Sequence, residues 1–254
     1  MINLFISIIT LLSTFTSENS HTSGVAVYSY KMAEDLFEQE ATLIFSTNGI
    51  SKYTYKQIDG YELKLEEGFK TQKIKSDQKG YVIYRDKKNG LKINERAFCN
   101  GVPYLMDDNI NFNWSIKKDK KEIGKYICQK ATTKHRGRDY TAWFTSEIPV
   151  DIGPWKFHGL PGLIVEVRAN KGDVNGDIYF KLNTIQLTKE AKPIGFNYTD
   201  TKNSYSTFRQ CQLDLFNENT KELQAKAAAL MAQNPGLEIE IESPPFPPYT
   251  ENFN

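Results

Sequence analysis

From Val25 to about Leu187, short apolar and aromatic runs alternate with polar residues and are separated by turn dipeptides at modest spacing. That punctuation predicts an antiparallel sheet. Asn-Gly pairs mark three hairpins. Asn48-Gly49 lies between Ala41-Thr-Leu-Ile-Phe45 and Ile50-Ser-Lys-Tyr-Thr-Tyr55, and Asn89-Gly90 between Tyr81-Val-Ile-Tyr-Arg85 and Leu91-Lys-Ile-Asn94. Both residues of such a pair tolerate positive φ, which a two-residue turn needs in order to follow the strand twist. Asn175-Gly176 joins Leu163–Arg168 to the long segment Ile178–Leu187, in which Ile178, Phe180 and Leu182 share one face. Such alternation predicts a sheet with one covered face.

The pattern changes after Pro193. Residues 204–233 have helical composition, and Leu223, Ala227, Leu230 and Met231 recur at i, i+4, i+7 and i+8, which predicts an amphipathic helix packed on the sheet. Asn234-Pro-Gly236 ends it, because proline cannot continue the ladder and glycine accepts a left-handed cap. Phe208, Leu213 and Leu215 suggest an earlier helix, with a break near Asn217–Asn219. The fold class is therefore mainly β (α+β), an antiparallel sheet with a C-terminal helix or helix pair packed on it.

The two ends read differently from this middle. Residues 2–15 are apolar or small and polarity rises abruptly from Thr16, so residues 1–20 read as a secretory signal. The apolar run is shorter than the roughly 18 residues of a spanning helix, and no comparable run follows, so no transmembrane segment is expected in the mature chain. No cysteine follows the run where a lipid anchor would need one. The expected location is the periplasm, the cell surface or the medium. Residues 21–242 read as a single mainly β domain. Residues 243–254 form a Pro-rich tail, equally readable as a covering strap or a loose end.

Charge selects no partner: 32 basic and 31 acidic side chains nearly cancel, which disfavours nucleic acid. Three cysteines, Cys99, Cys128 and Cys211, suit an oxidising compartment with one bridge and one leftover thiol. Cys99 and Cys128 both lie near strand-like segments and are the pairing to test; three buried small hydrophobes read equally well.

The densest stretch runs from Gly137 to Pro149 and on through Asp151-Ile-Gly-Pro-Trp-Lys-Phe-His-Gly-Leu-Pro-Gly-Leu-Ile164. Gly159, Leu160, Pro161, Gly162, Leu163 and Ile164 spell the name-giving motif of the GLPGLI family, which this chain resembles. Ala142-Trp-Phe-Thr, Glu147-Ile-Pro and Gly153-Pro are similar to that family's pattern too. The resemblance implies an exported protein of Bacteroidetes with no established activity, and it transfers no catalytic or ligand-binding residue. Physically, Pro161 followed by Gly162 predicts a type II turn feeding the strand Leu163–Arg168, with Val165 and Val167 on one face. Ala142-Trp-Phe-Thr-Ser-Glu-Ile-Pro more loosely resembles outer-membrane lipoprotein carriers, which implies a curved sheet, a half-barrel, with a concave face.

Reactive chemistry is sparse. His21, His135 and His158 are scattered without metal-ligand spacing, so no metal and no cofactor is expected. No nucleophile elbow, phosphate loop or dinucleotide fingerprint occurs. An enzyme would require His158 to meet Asp151 or Glu147 in a cleft. Lys134-His-Arg-Gly-Arg138 reads as an anion site or, more commonly, a solvated hairpin tip. The leading reading is a non-catalytic binding protein of the envelope, contacting a lipid, an apolar peptide or an envelope protein through Trp143, Trp155, Phe157 and His158. The alternative is a structural or interaction module without a small-molecule ligand.

Overall fold

Period-two alternation becomes strand pairing along most of the described residues that precede the helix. The computed structural model describes residues 23–32, 38–55, 77, 79–108, 110–169, 178–190 and 192–239. Residues 1–20, read from the sequence as a secretory signal, the Asn175-Gly176 pair and the Pro-rich tail lie outside the described residues. The strands are β1 Ser23–Lys31, β2 Gln39–Ser46, β3 Ile50–Tyr55, β4 Tyr81–Asp86, β5 Lys92–Cys99, β6 Val102–Asp107, β7 Ser115–Ile123, β8 Tyr126–His135, β9 Arg138–Thr145, β10 Leu163–Ala169 and β11 Tyr179–Thr188. One helix follows among the described residues, α1 Tyr205–Gln233.

The strand order is β6-β5-β4-β3-β2-β1-β11-β10-β9-β8-β7, antiparallel throughout. The chain walks outward from β1 to β6, crosses to the opposite edge, and walks back from β7 until β11 pairs with β1. This order dictates curvature. Eleven strands laid flat would place their edges roughly 48 Å apart at about 4.8 Å per gap. Yet only the eight Cα steps from Asp107 to Ser115 join the edges, a reach of roughly 28 Å. The sheet therefore curls into an unclosed half-barrel, in agreement with the expected fold class.

Both edges are protected. Lys202 pairs with Leu105 of β6, and the Asn203 amide donates to the Leu105 carbonyl at 2.8 Å. β7 carries Lys117, Lys118, Lys120 and Lys121 and a register shift between Ile116 and Lys120, two devices that discourage further strand addition.

The turns differ from expectation in detail. The first hairpin uses a three-residue loop, Thr47 to Gly49, and the second a five-residue loop from Lys87 to Leu91; in each only the glycine takes positive φ. The tight two-residue form, with both residues at positive φ, occurs instead at Asn100-Gly101 (φ 50° and 78°) and at Arg136-Gly137 (φ 47° and 84°).

The helix also corrects the sequence reading. Ser204 caps it by accepting from the Thr207 amide at 3.1 Å. It runs unbroken through residues 217–219, where no proline or glycine interrupts it. Its first turns dock on the sheet edge: Phe208 meets Tyr104 at 5.3 Å between ring centroids, and Cys211 is joined to Cys99. Of the predicted apolar stripe, Ala227 is buried and Met231 half-buried, while Leu223 and Leu230 stay 42% and 49% exposed, so the stripe is covered only in part.

The disulfide expected between Cys99 and Cys128 is not formed; Cys99 pairs with Cys211 and Cys128 is a buried free thiol. The physical reason is the strand order. β5, which ends at Cys99, and β8, which carries Cys128, are not neighbours: seven strands separate them on one side, and β6, the open seam and β7 on the other.

Candidate functional site

Between β9 and β10 the chain leaves the sheet for residues 146–162 and fills the concave face. Ile148, Val150, Ile152, Phe157 and Leu160 enter the main core beside Tyr28, Tyr53, Ala142, Phe144 and Phe180. This plug is pinned to the strands at its end, where the amides of Leu163 and Ile164 donate to the carbonyls of Ile148 and Ile152 at 3.0 Å each.

The Gly-Leu-Pro-Gly-Leu-Ile motif is the corner at which the plug rejoins the sheet, but not as a type II turn. The positive φ belongs to Gly159 (91°) and not to Gly162. The Gly162 amide donates to the Leu160 carbonyl at 2.8 Å, a tighter turn centred on Pro161. Gly162 is required for space: a Cβ there would lie 2.1 Å from the backbone oxygen of Thr145.

Three charged side chains are buried where the plug meets its neighbours. Lys156 Nζ lies 2.8 Å from Asp108 Oδ2, 2.6 Å from Glu95 Oε2 and 2.9 Å from the Tyr205 hydroxyl. Its ammonium also sits 4.9 Å from the Trp155 ring centroid. Tyr205 donates to Glu95, and Arg136 donates to Asp108 Oδ1 at 2.9 Å. Burial alone would push the Asp108 carboxyl up, but Lys156 and Arg136 outweigh it and hold it below the usual range. The cluster ties together the plug, β5, the edge-to-edge crossover, the β8–β9 turn and the start of α1.

Trp155, next to Lys156, has φ 51°, a left-handed conformation uncommon for a bulky residue. Its ring stacks on Phe180 at 6.5 Å and meets Phe157 at 5.3 Å. It stands at a small cleft, about 30 Å³ in volume, lined also by Met32, His135, Arg136, Arg138 and Tyr140. A second hollow of about 10 Å³ lies on the other side of Trp155, against Ser51, Tyr53 and Arg85.

The structure separates the residues singled out from the sequence. Trp155 and Phe157 come together, with Phe157 1% exposed in the core. His158 is also buried. Its Nδ1 lies 2.8 Å from the Lys156 carbonyl, an acceptor, so that nitrogen carries the proton. Burial is the main influence that lowers the His158 pKa. Asp151 is held by Arg85 at 3.0 Å and Lys87 at 2.6 Å, while Glu147 accepts from the Ile127 amide at 2.9 Å, so neither acid is hydrogen-bonded to His158. Trp143 faces the opposite side of the sheet from its core neighbours Ala142 and Phe144, with Lys121 Nζ 4.4 Å from its ring centroid. Among the described residues no group of three or more His, Cys, Asp and Glu is gathered to hold a metal ion, and no helix is long and apolar enough to cross a membrane.

Sequence reasoning missed Lys156, Glu95, Asp108 and Tyr205. One signal was available: a lysine inside the otherwise aromatic triplet Trp155-Lys-Phe157 must be buried with partners or distort its neighbours.

Residues 136–166 match the family model described as "Protein of unknown function (Porph_ging)". The matched residues run from the β8–β9 turn through β9 and the plug into β10. They include the Gly159–Ile164 motif, although the match does not itself carry the GLPGLI name. No curated protein matches the chain. Among solved structures, two crystal forms of PNGF-II are similar, with TM-score 0.51 in both and 14% and 15% identity. The similarity covers 75% of this chain but only 32% and 33% of PNGF-II, so the chain spans about a third of that protein. At this identity the likeness is one of fold. An uncharacterized conserved protein from Thermus thermophilus aligns at TM-score 0.40 and 8% identity, over 72% of this chain and 91% of its own.

Proposed function

We propose that this protein is an exported envelope component that acts by binding and not by catalysis, and that its partner is a polypeptide contacted at the Trp155 rim. The filled concave face carries the reading. With residues 146–162 in place, the two hollows flanking Trp155 among the described residues measure only about 10 and 30 Å³. At ~10–15 Å³ per water these hold one or a few small groups, not an acyl chain. The protected edges weigh against capture by strand addition, and Phe157 and His158 lie too deep to be touched. Trp155 is a half-buried aromatic at the surface of this region and borders both hollows. Export is supported by the Cys99–Cys211 bridge, which suits an oxidising compartment, and by the apolar segment at residues 2–15.

Native mass spectrometry of the mature protein, purified gently from its own envelope and measured before and after organic extraction, tests the reading. A co-purifying polypeptide with no lipid adduct is the expected outcome. A lipid that leaves on extraction would overturn it in favour of a carrier whose plug opens.

A further inference from the structure

The basic hairpin tip is only partly solvated: Lys134 and Gly137 are exposed, but Arg138 is buried. His135 and Arg138 pair across the two-residue Arg136-Gly137 turn. Side chains of directly opposed residues lie on one face, so both flank the same space. Arg138 is 5% exposed, and His135 packs on Phe112 at 4.7 Å between ring centroids. Together with Arg136 they form the polar side of the 30 Å³ cleft, whose remaining walls are Tyr140, Trp155, Phe157 and Phe180, with Met32 and Ile178 alongside.

We infer that this cleft is a subsite for a carboxylate carried on an apolar or aromatic body, either a small organic acid or the C-terminus of a peptide. The inference rests on the binding reading above and gives its site a chemistry.

Three observations support it. First, three nitrogen-bearing side chains line one small space; Arg136 is held by Asp108 and contributes its charge, while His135 and Arg138 face each other across the turn, and a guanidinium matches carboxylate geometry. Second, His135 Nε2 is buried in this region and has no hydrogen-bond partner, a deficit that a bound oxygen would remove. Third, the opposite wall is aromatic carbon. The volume suits about two water-sized groups, and so the two oxygens of a carboxylate. A phosphate would leave further oxygens against the rings of Phe157 and Phe180 without donors.

Burial, followed by the charge on Arg136, pushes His135 down to about 4. Asp108 opposes this, while Lys156 and His158 add to it. A bound anion must raise that value, which makes His135 the reporter.

The test is a histidine NMR titration of the full chain with phenylacetate, with inorganic phosphate, and with one Phe-ending peptide in free-acid and C-terminally amidated forms. The inference predicts saturable binding of phenylacetate, the free-acid peptide or both, with the His135 pKa raised by about one unit or more. Binding of only one would identify the source of the carboxylate. Affinity should fall roughly tenfold in His135→Leu and further in Arg138→Gln. Should Arg138→Gln fail to fold, His135→Leu and the amidated peptide still decide the matter. Equal binding of phosphate, equal binding of the amidated peptide, or no shift with any probe would each overturn the inference. None of these arms uses a native partner, so a failed titration leaves the binding reading to the mass-spectrometric result, and a captured lipid would leave a positive titration standing.

Discussion

Lys156 of the plug lies 2.8 Å from Asp108 of the crossover that joins the two edges of the sheet, and both side chains are under 5% exposed. This pair locks the segment that fills the half-barrel to the segment that draws its edges together. Glu95, Tyr205 and Arg136 complete the contact and bring in β5, α1 and the β8–β9 turn.

Lys156→Met should therefore be costly. It retains the alkyl volume but leaves Asp108 and Glu95 buried with less compensation, a loss of about 3 kcal/mol. Urea denaturation should show the lowered midpoint, and adding Asp108→Asn should return part of the loss, as expected for coupled sites. Additive losses in the double variant would refute a direct pairing.

Acid should weaken the fold in two stages. His135 is lowered from 6.5 to about 4 on folding, so the unfolded chain binds its proton first and stability falls as pH drops through that window, by on the order of 2 kcal/mol. Asp108 and Asp151 are held below their ordinary 3.8 by Lys156 and Arg136 and by Lys87 and Arg85, each outweighing burial. Their contribution is complete above that value and is lost as pH falls below it. In His135→Gln, urea midpoints measured from pH 7 to 3 should show a smaller upper stage, the remainder belonging to buried His158, and an unchanged lower one.

Gly162→Ala should be far worse than Pro161→Ala. The added methyl meets the Thr145 oxygen at 2.1 Å, and backbone rather than a flexible side chain must move. A loss of about 3 kcal/mol or failure to fold is expected, against about 1 kcal/mol for the proline, whose role is chain stiffness. Melting temperatures of the two variants compare them directly; equal values would remove the close approach as the reason for glycine.

Non-reducing peptide mapping should recover Cys99 linked to Cys211. The bridge spans 112 residues, so Cys99→Ser should lower stability by about 2–4 kcal/mol. Cys128 should resist thiol reagents in the native state, because burial pushes its pKa up to about 11. A rapidly reacting thiol in the folded protein would contradict both assignments.

What could be read beforehand was local. The run Ile178, Phe180, Leu182 announced a covered face, and β11 presents it. Residues 204–233 announced a helix, found at Tyr205–Gln233. Asn48-Gly49 and Asn89-Gly90 marked real hairpins although their loops are longer than two residues, because the flanking registers, Phe45 with Ser51 and Asp86 with Lys92, set the loop length. Trp155 and Phe157 were legible as an aromatic cluster, but Trp143 was not separable from them without the pleat that turns it to the other side.

Sequence alone determined the strand-forming middle, the helix, its cap and stop, and the Gly159–Ile164 corner, since each depends on neighbours within a few residues. Only the tertiary structure decided that residues 146–162 fill the half-barrel, that Cys99 chooses Cys211, that Lys156 meets Glu95 and Asp108, and that His135 and Arg138 close over a cleft. Those choices depend on how far the sheet curls. Curling is set by a short crossover between its two edge strands, and no local propensity encodes which distant side chains it will bring together.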